Sequence, residues 1–461
     1  MLLLLTRKIL FFYLFLVLSP CAWAAKWELT PSVSATYTYS DNINLSQNNR
    51  SGDAALSLNP RVLIKGEGGR IDLTADYGLQ VIRYRDNSQS DEEFHSAGLD
   101  ANIKLVPDSF HVETNARYGQ QATSLTAAAI PQNNLAITSN RTNLLTYQIK
   151  PVYRGRIGNK ADVQVDYTYD GVQYDNNSIQ DQHVRNTNYH VGLNSTEAYS
   201  SFAWSLNHNR TDFNVQNNDD TYYSLTDLTL RYRIAPKLSL IAGGGDEENH
   251  ISNSLLGPGD AYWSGGFSWV PTSRTSIEVT RGERFYGNST TASILSAGKN
   301  IRFNLTYDES ITTTTLILPS LYSVPGQPLV DVENELVLQE ALNATLSGST
   351  AKTDYGVTFN KRKITYQEAV NRENYSAYSV FWNWSITPRS TVGLNGTRQV
   401  TDFLVTNQEI ILDSYELSFE RSFGRRGTSS FQYTNYQSSS SNGLNDYKSN
   451  LYQFILTWNF R

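Results

Sequence analysis

The chain has 461 residues, a formal net charge of −6 at pH 7, one cysteine, one methionine and 12% aromatic residues. An acidic balance with no basic stripe argues against a nucleic-acid partner, and a lone cysteine rules out an internal disulfide framework and a thiolate metal site. Mean hydropathy is −0.43, and after Leu18 no apolar run approaches the roughly 18 residues of a spanning helix.

The N-terminus reads as an export signal. Arg7 and Lys8 give a positive start, 9–18 an apolar stretch, and Ala22-Trp23-Ala24 an A-x-A cleavage site, so residues 1–24 form a signal peptide and 25–461 one β-barrel domain. The rival is acylation at Cys21, but Pro20 stands where a lipoprotein signal has a small residue. Loss of Arg7 and Lys8 takes the charge from −6 to −8 and leaves neither cysteine nor methionine.

The first strand is legible at once. Trp27, Leu29, Pro31, Val33, Ala35, Tyr37 and Tyr39 alternate with Glu28, Thr30, Ser32, Ser34, Thr36, Thr38 and Ser40, one oily face and one wet one. The same period recurs to the end of the chain, at Tyr452, Phe454, Leu456, Trp458 and Phe460. Because the first strand begins within a few residues of the cleavage site, no N-terminal plug domain is expected.

Short turn signals fall at 68–69, 107–108, 155–159, 197–198, 236–237, 272–273, 308–309, 348–349, 388–389 and 425–426. Most are about 36 to 41 residues apart, the mark of a repeated hairpin. Longer polar stretches alternate with them at 41–53, 85–93, 120–140, 175–182, 212–220, 249–259, 287–296, 322–332, 367–374, 401–409 and 437–445. That alternation matches periplasmic turns and extracellular loops. Eleven loops and ten turns predict 22 strands, with roughly 20 to 22 as the range. The weakest is 311–321, required by parity because 301–307 and 336–346 both read as running inward.

Lipid-facing sets are read as Ala75, Tyr77, Leu79; Val163, Val165, Tyr167, Tyr169; Phe202, Trp204, Leu206; and Trp263, Gly265, Phe267, Trp269. The lumen-lining candidates are Asp72, Asp76, Asp166, Asp170, Arg231, Arg233 and Arg302, with Thr74, Gln164, Thr168, Asn304 and Thr306 in the same register. An open edge in lipid would leave backbone groups unpaired, so the sheet must close. The predicted fold is all-β: a transmembrane antiparallel up-and-down β-barrel of about 22 strands in the bacterial outer membrane, in contact with outer-membrane lipid. A soluble β-sandwich or propeller is the alternative, but polar alternate faces around the whole chain leave such a fold no second sheet to pack on.

The segment Ala35-Thr36-Tyr37-Thr38-Tyr39-Ser40-Asp41-Asn42-Ile43-Asn44-Leu45 resembles the start of the PEP-CTERM system-associated outer-membrane proteins, a branch of the putative β-barrel porins. Segments 271–280, 304–310 and 384–391 are similar to that family's middle and late hairpins. The resemblance implies an exopolysaccharide locus and a barrel acting in polymer export or the accompanying surface-protein system, with polysaccharide and export-machinery proteins as partners. It carries over no catalytic, cofactor or metal residue. The last strand resembles the signal read by the barrel-assembly machinery, except that Arg461 follows Phe460.

Other chemistry is sparse. The six histidines, at 95, 111, 183, 190, 208 and 250, are not spaced as metal ligands. Asp166 and Asp170 share a strand face and could mimic a glycosidase pair, but lumen polarity accounts for them. Asp219-Asp220 could take calcium in a loop, and a solvated loop is the plainer reading. Gly243-Gly244-Gly245 marks a bend or a crowded lumen. No enzyme activity and no cofactor are expected. The one long insertion, 120–140, holds Ala127, Ala128, Ala129 and Ile130, the candidate constriction of the channel. The functional expectation is a conduit or accessory of exopolysaccharide export; the alternatives are a general porin for small solutes and a non-transporting scaffold.

Overall fold

The structure is a computed structural model and describes residues 25–86, 89–122, 135, 141–175, 184–196, 201–214, 221–250, 259–313, 336–366, 372–404, 407–443 and 446–460. Segments 1–24, 123–134 and 215–220 lie outside these, and with them the signal peptide, the candidate residues Ala127, Ala128, Ala129 and Ile130, and the Asp219-Asp220 pair.

Twenty-two strands follow one another. They are β1 (Lys26–Ser40), β2 (Asp53–Glu67), β3 (Ile71–Tyr84), β4 (Glu92–Val106), β5 (Phe110–Ala122), β6 (Arg141–Ile157), β7 (Ala161–Asp175) and β8 (Val184–Ser195). Next come β9 (Phe202–Asn214), β10 (Thr221–Ala235), β11 (Leu238–His250), β12 (Ala261–Thr272), β13 (Thr275–Arg284), β14 (Gly287–Ala297) and β15 (Ile301–Thr313). The last seven are β16 (Leu336–Ser349), β17 (Thr353–Tyr366), β18 (Arg372–Thr387), β19 (Ser390–Phe403), β20 (Gln408–Phe423), β21 (Gly427–Ser440) and β22 (Tyr447–Asn459).

Each strand pairs antiparallel with the next, and β1 pairs with β22 from Ser32↔Asn459 to Ser40↔Leu451, so the sheet closes on itself. Side chains lock that seam: Ser40 Oγ meets Ser449 Oγ at 3.1 Å, and Asp41 accepts from the Asn450 backbone N–H at 2.7 Å and side-chain amide at 2.6 Å. Apart from the two-residue tip between β13 and β14, the short turns sit at one end and the longer connections at the other, the layout of an outer-membrane barrel. Three of the tight turns place residues in the left-handed region, Asp108 at φ 63°, Gly158 at φ 57° and Gly424 at φ 69°, where a small or locally bonded side chain is tolerated.

Which face is which follows from reach. Arg231 on β10 bonds Glu278 on β13 at 2.9 Å, across two intervening strands, a span that the concave side allows. Opposite these residues stand the exposed apolar side chains, among them Leu228, Leu230, Tyr232, Phe267 and Trp269. The lipid-facing sets read from the sequence all fall on this convex face. Trp27 and Tyr37 on β1 are ten residues apart, about 33 Å along a strand. At a tilt near 40° this is about 25 Å of height, the apolar band of such barrels.

One hairpin departs from the sequence reading. Asp308 and Glu309, expected as a turn, lie inside β15, and 287–296, expected as a loop, is β14. The turns in this stretch are Phe285-Tyr286 and 298–300. Strand β15 therefore runs outward rather than inward, and the described part of the expected strand 311–321 is the end of β15. The strand total is unchanged because one strand was missed and one invented.

Arginine at Val165, which is 40% exposed on the convex face of β7, should cost about 2 to 4 kcal/mol. Asp72→Asn in the lumen should cost little, its side chain being 52% exposed. Urea unfolding in detergent micelles checks both, and equal midpoints would mean that the assigned faces are wrong.

Candidate functional site

The lumen wall is where side-chain chemistry gathers. All seven lumen-lining candidates lie on the concave face. Asp72 accepts from Lys104 Nζ at 3.1 Å, and Asp76 from Arg61 Nη2 at 2.9 Å. Asp166 accepts from Gln164 Nε2 at 2.7 Å, meets His190 Nδ1 at 2.9 Å, and lies 3.6 Å from Lys150 Nζ. Asp170 accepts from Asn186 Nδ2 at 3.1 Å, and Arg231 donates to Glu278. Arg233 and Arg302 point inward near the periplasmic ends of β10 and β15, opposite Ser239 and Ser347 in register. Asp166 and Asp170 are thus tied to separate partners on either side of Thr168.

These bonds run laterally from strand to strand. Asn115 donates to Gln148 at 3.0 Å, Asn188 to Asn209 at 2.9 Å and to Thr211 at 2.7 Å, and Asn207 to Asp227 at 3.2 Å. Between β2 and β6 the Asn115–Gln148 pair borders a recess of about 570 Å³, lined also by Asp72, Asp100, Asn102 and Glu113. Carboxylates and amides at this density offer a solute both acceptors and donors.

Burial differs along the axis. In the periplasmic half Arg61 and Arg156 have side chains 58% and 68% exposed, whereas near the extracellular end Ile82 and Asp53 are at 0% and 1%. At that end Ile82, Tyr84, Phe94, Ala55 and Leu451 turn inward and pack with Ile43 from segment 41–52 and with Leu135. Tyr84 Oη donates to the Leu135 carbonyl at 2.6 Å. Segment 41–52 is pinned by Asn42, whose amide donates to the carbonyls of Ser46 at 2.8 Å and Lys448 at 2.9 Å. The polar loop read at 41–53 thus carries two apolar anchors, Ile43 and Leu45, into the mouth, which its overall composition hides.

A second group escaped the sequence reading. Arg284, at the tip of β13, donates to Glu247 on β11 and to Tyr223 on β10, and its guanidinium lies 5.1 Å from the Tyr286 ring centroid and 5.7 Å from that of Tyr262. Glu247 is 2% exposed. Below it the wall has no room for side chains: a Cβ on Gly245 would fall 1.9 Å from the Thr226 carbonyl, the crowding expected of Gly243-Gly244-Gly245.

Residues 24–200 match the family model described as "Putative beta-barrel porin 2". Among solved structures, the siderophore receptor PirA from Acinetobacter baumannii aligns over 94% of this chain and 80% of its own, with TM-score 0.52 and 8% identity. The fold is that of an outer-membrane β-barrel. The FrpB iron transporter from Neisseria meningitidis (F3-3 variant) gives TM-score 0.52 at 10% identity, covering 94% of this chain and 81% of that one. A mutant ferric enterobactin receptor from Pseudomonas aeruginosa gives 0.51 at 10%, with 94% and 80% covered. At such identities the likeness concerns the barrel's architecture alone. No curated protein matches this chain. The matched residues span β1 to β8 and so include the strands that line the polar recess, β2 to β6.

Proposed function

We propose that this barrel is a passive, non-enzymatic conduit of the bacterial outer membrane, serving polysaccharide export together with export-machinery proteins. The observation that supports it most is the polar recess of β2 to β6, whose carboxylates and amides suit a hydroxyl-rich solute. The resemblance of residues 35–45 to exopolysaccharide-locus barrels points the same way. The extracellular mouth, packed with Ile43, Leu135 and their neighbours, would set the narrowest part of the path, with the insertion around Ala127, Ala128, Ala129 and Ile130 as its constriction.

A strain lacking the protein should lose surface polysaccharide, and purified barrels in planar bilayers should conduct and be blocked by added oligosaccharide. Unblocked conductance with normal surface polysaccharide would make it a general porin, a reading that the charge-paired wall also fits. No conductance would leave a scaffold.

The purified protein should also begin at Ala25 and migrate faster unboiled than boiled, because a closed barrel resists detergent until heated. Intact mass and a gel shift check this; a diacylated Cys21 would overturn the assigned cleavage, and identical migration the stable barrel.

A further inference from the structure

The wall is split between β14 and β15. Their ladder runs from Ala297↔Arg302 up to Ala292↔Tyr307 and stops, although 287–291 continues paired to β13 and 308–313 to β16. The Glu309 carbonyl, on the side left bare, instead accepts a hydrogen bond from the Tyr286 hydroxyl at 3.4 Å. Arg284 accounts for the split: its bonds to Glu247 and Tyr223 draw the β13–β14 tip toward β10 and β11, away from β15. The β4–β5 ladder also stops short, at Ala97↔Tyr118, although 92–96 continues paired to β3 and 119–122 to β6; what sets the β14–β15 split apart is the side-chain packing across it.

An apolar path crosses the β14–β15 split. Phe213 and Tyr223, on the concave face, pack with Leu225, with Phe285 at the tip, and with Ile311, which by register belongs to the convex face. In an unbroken wall, side chains of opposite faces do not meet, because the backbone lies between them. The split begins at Tyr307, the last aromatic of β15 before Glu309, where the lipid band gives way to the headgroup zone. A bare edge bordering the lipid band is costly unless it is covered, and the apolar path opens onto it.

We propose that the β14–β15 split is a lateral portal through which a single-chain amphiphile of the outer leaflet enters the lumen, its alkyl chain along Ile311, Phe285 and Phe213 and its polar head beside Arg284, Tyr262 and Tyr286. This goes beyond the axial conduit and does not depend on the solute carried along the axis.

The test uses the full-length barrel in liposomes with a photoreactive diazirine analogue of dodecanol as probe. Thr291 and Asp308 would be the next rung of the ladder, so the double variant Thr291→Cys, Asp308→Cys can be joined by a short bifunctional thiol reagent, the only native cysteine being Cys21 in the expected signal segment. Labelling of peptides holding Phe285 and Ile311 should exceed that of the lipid-facing Phe454 peptide in the unjoined variant, and fall to the same level once joined. Labelling no higher than at Phe454, or unchanged by joining, would overturn the portal. So would a photo-crosslinker at Ile311 that captures a polypeptide strand in cells in place of lipid.

Discussion

Arg284→Ala should destabilise the barrel by about 3 to 5 kcal/mol, because it strips a buried carboxylate of its cation. Glu247 is almost wholly enclosed, with Arg284 and Tyr223 as its side-chain partners. The aromatic rings flanking Arg284 cannot replace the charge. The loss should appear as a lower temperature for the gel shift and a lower urea midpoint, and Glu247→Gln should restore part of it in the double variant by removing the stranded charge. Additive losses in that double-mutant cycle would mean that the two side chains do not act as a pair. The change should also free the β13–β14 tip, so that stability and probe labelling at Ile311 separate the anchoring role from mere packing.

The lumenal network should respond less uniformly than the sequence suggests. From alternation alone Asp166→Asn is a mild change of a lumen group. Enclosure at 6% exposure, with Lys150, His190 and Gln164 around the carboxylate, makes it costlier, about 1 to 3 kcal/mol. Asp72 and Asp76 look the same in sequence, yet their side chains are 52% and 25% exposed and each holds one cation.

The fold was legible because a barrel writes the same instruction many times. A two-residue period fixes the face of every side chain, and turn chemistry at Gly68-Gly69, Pro107-Asp108, Pro236-Lys237 and Pro388-Arg389 fixes where strands reverse. The reading failed where composition and conformation part company. Phe285-Tyr286 looks like strand interior but is a two-residue tip, with Gly287 at φ 115°. The run Asn288-Ser289-Thr290-Thr291-Ala292-Ser293 looks like a loop but pairs as β14, its serines facing the lumen. Gly298-Lys299-Asn300 was a usable turn signal, hidden by the stronger-looking Asp308-Glu309. Arg284 and Glu247 could not be joined from sequence at all, because they sit 37 positions apart on strands that are not neighbours. Their pairing depends on how far the wall curves.

Deleting residues 124–135 should raise single-channel conductance in planar bilayers without preventing assembly. The deletion removes Leu135, which is 5% exposed among inward-facing side chains of β2, β3, β4 and β22 and whose carbonyl holds the Tyr84 hydroxyl. It also removes Ala127, Ala128, Ala129 and Ile130, an apolar run within the long β5–β6 connection. Among the described residues the β5–β6 ladder ends at Ala122↔Arg141, outside the deletion, so the wall should close as before, and the gel shift on heating verifies that. Ile43 and Leu45 remain in the mouth, held by Asn42, so the increase should be partial, and a further Ile43→Ser change should add to it. Unchanged conductance in a correctly folded deletion would remove the constriction. A folded barrel that conducts in neither form would exclude axial transport and leave the lateral portal to be judged by its own labelling.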